Sequence, residues 1–228
     1  MDIIILPGLT GTNRLLGEFA RALAPTFRAT ALSYPVDQAL DYAALTHWVR
    51  ALLPSDQPFI LIGESFSGPV ALSLAIDPPP GLRGVALAAS FARFPSIFSP
   101  LLAAMAPLTP VNLIPNAVLS RLLLGRWATR QRRAALALEL SRIPVGLLRF
   151  RAAQALRVDL SARLPEIAAP LLYLRASADH LLPRAAGEQI TKAAPNAILR
   201  EITGPHFLLQ AKAAECAAQI SEFIGRIG

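Results

Sequence analysis

Three residues lying far apart in the sequence have types and settings suited to nucleophilic attack on an acyl carbon: Ser65, Asp179 and His206. Ser65 sits in Gly63-Glu64-Ser65-Phe66-Ser67-Gly68, directly after the apolar run Phe59–Ile62 and before an apolar helical stretch. A sharp strand-to-helix turn there would lift the serine hydroxyl out of the sheet. Such a turn brings the positions two before and two after the serine together, so each must be small, as Gly63 and Ser67 are. A serine hydroxyl is a poor nucleophile until a base takes its proton, and imidazole is the usual base near neutrality. Of the three histidines, His206 follows the last expected strand in Thr203-Gly204-Pro205-His206, where Gly-Pro enforces a loop at the carboxyl edge of the sheet. His47 falls within a helical stretch and reads as a surface or packing residue, and His180 reads as a loop residue.

The imidazole needs a carboxylate that fixes its tautomer and stabilises the imidazolium. Asp179 follows the strand Leu171–Leu174, which gives the chain order Ser65, Asp179, His206. The acids between Ser65 and Asp179, namely Asp77, Glu139, Asp159 and Glu166, fall at a helix end or within an inserted segment. Glu64, beside the nucleophile, reads as pointing away from the base. Two N–H donors are also needed for the developing oxyanion. The Phe66 N–H is one, and the turn Leu6-Pro7-Gly8-Leu9-Thr10-Gly11-Thr12 offers the other, with Leu9 as first choice and Thr10 as second. The same turn lacks both the G-x-G-x-x-G spacing and the Gly-Lys-Ser/Thr ending of a phosphate loop.

These residues require a particular frame. Short apolar runs at Ile3–Leu6, Ala29–Tyr34, Phe59–Ile62, Val85–Ala89, Leu171–Leu174 and Ala197–Ile202 alternate with helical patterns. Helices are expected over Arg14–Leu23, Tyr42–Leu53, Ala71–Ile76, Arg184–Ala193 and Phe207–Ile227. That rhythm predicts an α/β fold with a mostly parallel, doubly wound sheet of six strands. The rhythm halts over residues 91–170, which read as a helical lid inserted after the fourth strand of one domain spanning residues 1–228.

With these motifs in this order, the chain resembles the α/β-hydrolase superfamily over essentially its whole length. The resemblance implies a nucleophile at Ser65, a base at His206, its acid partner at Asp179 and oxyanion donors at Leu9 and Phe66, with no cofactor and no metal. Three departures stand out. The motif is G-x-S-x-S, which a small Ser67 should tolerate; Pro7 replaces the usual histidine before the oxyanion glycine; and the family's opening hairpin is absent. The last suggests a minimal sheet whose first strand is an exposed edge, open to a dimer contact.

Composition narrows the rest. With 228 residues, 54% hydrophobic and 16% charged, the chain supports one sizeable core and excludes a disordered scaffold. The lone cysteine, Cys216, rules out an internal disulfide and suits a cytoplasmic location. Of the net charge of +7, residues 91–170 carry +8, with eleven arginines against Glu139, Asp159 and Glu166. The stretch Phe94–Ser120 has no charged residue but contains five prolines, which argue against a membrane helix. Its Phe94, Ile97, Phe98, Leu101, Leu102 and Met105 are candidates to line an apolar acyl pocket. Arg126, Arg130 and Arg133 would share a face if that stretch is helical. By similarity to pimeloyl carrier-protein methyl esterases, this face would dock an acidic acyl carrier protein or a CoA-linked acyl group. Nucleic acid is not expected, since no aromatics interleave with the basic residues. The expectation is a carboxylic ester hydrolase for a small or medium acyl ester. Thioesterase, acyltransferase and idle binding scaffold are the alternatives.

Overall fold

The computed structural model describes residues 1–95 and 115–227. Six strands form one parallel sheet: β1 (Asp2–Leu6), β2 (Arg28–Ala31), β3 (Phe59–Glu64), β4 (Leu82–Ala88), β5 (Leu171–Ala176) and β6 (Ala197–Ile202). Their order is β2-β1-β3-β4-β5-β6. The expected α/β doubly wound architecture is present, but β1 is not an edge. It pairs with β2 on one side and β3 on the other, so β2 and β6 form the edges. Apolar runs identify strands without giving their order, and the chain crosses back over β1 between β2 and β3.

Helices α1 (Gly17–Leu23), α2 (Tyr42–Arg50), α3 (Gly68–Ile76), α7 (Arg184–Ala193), α8 (Leu208–Ala211) and α9 (Ala213–Ile227) flank the sheet. Alternate strand residues point to opposite faces. Ile3, Ile5, Ile60, Ile62, Leu172 and Leu174 pack with residues of α1 and α9, including Phe19, Ile220 and Phe223. Ile4, Leu6, Leu61, Val85, Leu87 and Tyr173 pack against Leu45, Leu72 and Ile190 on the other face. All six residues of β3 are buried, which explains why its apolar run is continuous rather than alternating.

Between β4 and β5 lie α4 (Asn116–Leu124), α5 (Arg130–Ser141) and α6 (Val145–Arg157). The long closing helix expected from Phe207 is in fact two. Lys212, at φ −134° and ψ 40°, separates α8 from α9, so α8 can turn Gln210 toward the site while α9 lies along the sheet.

Candidate active site

The site forms where the strand order reverses, at the carboxyl ends of the neighbouring strands β1 and β3, the crevice that open α/β sheets offer to ligands. Leu6 pairs with Gly63, so the turn after β1 and the turn carrying Ser65 start side by side. Ser65 has φ 48°, a left-handed conformation that non-glycine residues adopt only where the surroundings impose it. Those surroundings leave no room for larger neighbours. A Cβ on Gly63 would stand 2.9 Å from both Ala71 Cβ and Ser67 O, and one on Gly68 would overlap the Ser90 hydroxyl. Ser90 Oγ donates to Ser65 O at 2.6 Å, and Tyr173 OH donates to Ser90 O at 2.7 Å, bracing the turn from β4 and β5. Ser67 is fully buried. Its hydroxyl donates to Pro7 O and accepts from Tyr34 OH at 2.5 Å, tying this turn to the loop after β1.

Ser65 Oγ lies 2.8 Å from His206 Nε2, and His206 Nδ1 lies 2.8 Å from Asp179 Oδ2. The second Asp179 oxygen, Oδ1, accepts from the N–H groups of Leu181 at 2.7 Å and Leu182 at 2.8 Å, which fixes the carboxylate. With Nδ1–H donated to Asp179, Nε2 is left as the acceptor for the Ser65 proton. The structure therefore brings the three sequence-chosen residues into one hydrogen-bonded line, with His206 only 1% exposed. The rival acids are occupied elsewhere: Asp77 with Arg50, Asp159 with Arg93 and Ser161, Glu166 with Arg163, and Glu139 with Thr12. His47 and His180 are exposed.

The loop after β1 faces Ser65. Gly11 N–H donates to Gly8 O at 2.9 Å, and across the trans Gly8–Leu9 peptide this turns the Leu9 N–H outward. Among the described residues that N–H has no acceptor. Phe66 stands in the first turn of a helical segment, where backbone N–H groups are without intrahelical partners.

Glu64, expected to point away, lines the same chamber as His206. Its carboxylate accepts from Gln210 Nε2 at 2.8 Å and from the Gly8 N–H, and the His206 charge acts on it. Burial pushes its carboxyl up to about 7, and these three contacts oppose the rise. A cavity of about 230 Å³ opens over Ser65, Glu64 and His206, walled by Leu119, Leu122 and Leu123 of α4, Leu136 and Leu140 of α5, and Leu148 of α6. A second, of about 210 Å³, extends from Ser65, Leu9 and Phe66 to Phe91, Phe94, Leu156 and Leu182. Both are predominantly apolar.

Phe94 thus lines a chamber beside Ser65. Ile97, Phe98, Leu101, Leu102 and Met105 lie outside the described residues. Arg126, Arg130 and Arg133 are exposed but do not share one helical face. Arg126 lies in the middle of a short 3-10 turn, Gly125–Trp127, with its guanidinium over the Trp127 ring, and Thr129 caps a new helix that begins at Arg130. Two buried charges from the same insertion escaped the sequence reading. Glu139 of α5 accepts from the Thr12 hydroxyl, and Arg151 of α6 donates to Thr10 O at 2.6 Å, Leu9 O at 3.2 Å and Pro35 O at 3.0 Å. A signal existed for the second: Arg151 falls on the same helical face as Leu147 and Leu148, where a core residue belongs.

A family model described as serine aminopeptidase, S33, matches residues 36–207, a span that includes Ser65, Asp179, His206 and the whole insertion. The chain belongs to this family of α/β hydrolases. Solved structures agree on the fold. This α/β hydrolase is similar to the enol-lactonase from Burkholderia xenovorans LB400, with TM-score 0.81 and 19% identity over 98% of this chain and 90% of that one. It is also similar to MenH from S. aureus, with TM-score 0.80 and 18% identity over 99% and 94%. A hydrolase from Oleispira antarctica gives TM-score 0.83 and 16% identity over 99% and 91%. No curated protein matches the chain by sequence. Among the described residues no helix is long and apolar enough to cross a membrane.

Proposed function

We propose that this α/β hydrolase cleaves carboxylic esters of small or medium apolar acids through an acyl-enzyme on Ser65. The observation that carries the reading is the line from Ser65 through His206 to Asp179, at 2.8 Å and 2.8 Å, opening onto apolar chambers. Ser65 Oγ attacks the ester carbon while its proton passes to His206 Nε2, and Asp179 stabilises the imidazolium. The carbonyl oxygen takes the negative charge between the Leu9 and Phe66 N–H groups. Collapse breaks the bond to the alcohol oxygen, which leaves with the proton from His206. Water then repeats the sequence on the acyl-enzyme, its proton going to His206 and its oxygen to the acyl carbon, and releases the acid.

The chambers favour apolar groups on either side of the scissile bond. The docking of an acidic carrier on Arg126, Arg130 and Arg133 loses its argument with the helix break at Ala128 and Thr129 and forms no part of the proposal. The buried thiol of Cys216 is pushed up by burial, away from thiolate chemistry, and suits the reducing cytoplasm proposed as its location. The test is a turnover panel of p-nitrophenyl acetate, butyrate and octanoate, an acyl-CoA thioester and an aminoacyl anilide. Ester turnover should exceed the other two, and Ser65→Ala should lower it by on the order of 10⁴-fold or more. Turnover of the anilide alone, or an active Ser65→Ala, would overturn the reading.

A further inference from the structure

The loop that carries Leu9 is pinned peptide by peptide, and the pins come from both sides of the cleft. Ser67 holds the Pro7 carbonyl, and Glu64 holds the Gly8 N–H. Of the next three peptides, two are held directly by one side chain of the insertion and the third, Gly8–Leu9, by the Gly11 N–H that this side chain aims. Arg151 is 3% exposed and has no carboxylate partner among the described residues; its guanidinium is satisfied by the Leu9, Thr10 and Pro35 carbonyls and lies against the Tyr34 ring. Each peptide is trans, so a carbonyl that is held fixes the N–H across its own plane. Holding Thr10 O aims the Gly11 N–H at Gly8 O, 2.9 Å away, and holding Gly8 O in turn aims the Leu9 N–H away from that bond, at a residue that lines both chambers over Ser65. Gly11, at φ 74°, is the residue against which the guanidinium seats, since a Cβ there would overlap it.

Building on the proposed serine mechanism, we infer that Arg151 is a positioning residue, through which helix α6 of the insertion forms the Leu9 half of the oxyanion site. The insertion then does more than cover the substrate. Without the guanidinium, the Thr10 and Gly8 carbonyls are free to turn, and the Leu9 N–H turns with them. A second contact from the same insertion, Glu139 to Thr12, secures the far end of the loop and keeps α5 in register with it. Arginine suits this place because its planar fork donates to several carbonyls at once while remaining charged under burial, whereas a lysine ammonium cannot span all three.

The test compares wild type with Arg151→Met and Arg151→Lys, each checked for fold by circular dichroism and thermal unfolding. Three readouts are taken: fluorophosphonate labelling of wild type, kcat and KM on p-nitrophenyl butyrate, and affinity for a trifluoromethyl ketone beside its methylene analogue. The ketone forms a tetrahedral adduct whose oxyanion needs the Leu9 N–H; the methylene compound fills the same chamber without one. For Arg151→Met the expected result is a kcat about 100-fold lower with KM little changed, a matching loss of ketone affinity and unchanged methylene binding. Arg151→Lys should fall between, and it decides the matter should the methionine variant not fold. A purely structural role would lower Tm and leave the ratio of ketone to methylene affinity unchanged, and that result overturns the inference. Wild type that takes no label at Ser65 would remove the serine mechanism itself, and the inference with it.

Discussion

At the scale of the residue, the site sets two ionisable groups side by side with different tasks. Asp179 is held by two backbone N–H groups and by His206, an arrangement that fixes the carboxylate and orients the imidazole. Glu64, one residue before Ser65, is buried, and its carboxyl is pushed up to about 7 from 4.5. The native state therefore binds its proton more tightly than the unfolded chain does. Between pH 4.5 and about 7 the unfolded chain releases that proton while the folded one keeps it, so stability falls as pH rises through this window. The loss amounts to about 3 kcal/mol at most. Glu64→Gln cannot titrate and keeps an acceptor for Gln210, so its urea midpoint should vary less over the same pH range and exceed that of wild type at pH 8. Identical pH profiles for the two proteins would show that folding does not tighten the hold on the Glu64 proton as argued.

At the scale of the element, the turn from β3 into α3 is built by exclusion. Gly63 and Gly68 are required because Ala71, Ser67 and Ser90 fill the space a Cβ would need. Gly68→Ala should destabilise the protein by about 1–3 kcal/mol in urea unfolding, the range typical of overpacking a tight core. A variant as stable as wild type would mean that Ser90 yields freely. The glycines and the small Ser67 were legible in the sequence because a strand-to-helix junction announces itself locally: a β-branched run, a glycine, a helical run. The partners that brace the junction were not. Tyr34 and Ser90 reach it from 33 and 25 residues away in the chain, Tyr173 braces Ser90 from 83 residues away, and nothing near them in sequence marks those contacts. The same reason explains the misplaced edge strand, since pairing of β1 with both β2 and β3 is a property of the sheet, not of either run. The break at Lys212 was hidden because the apolar pattern on both sides of it is helical.

At the scale of the whole molecule, a sheet with one reversal of strand order brings the loop after β1, the turn after β3 and the loops after β5 and β6 to a single edge. Six strands, their parallel sense and the insertion after the fourth could be read from the alternation of apolar runs and helices, and so could the three residues at their carboxyl ends. The charge concentrated in residues 91–170 was legible as a total, but its total concealed two different uses. Most of the arginines are solvated or paired at the surface, while Arg151 and Glu139 turn inward and grip the loop that faces Ser65. The insertion and the sheet thus complete one site together. The measurement that tests this account most directly is the intact mass of the protein after incubation with a fluorophosphonate, run beside Ser65→Ala. The account predicts one adduct per chain on the wild type and none on the variant. An unmodified wild type that is demonstrably folded, or an adduct that persists in Ser65→Ala, would contradict it.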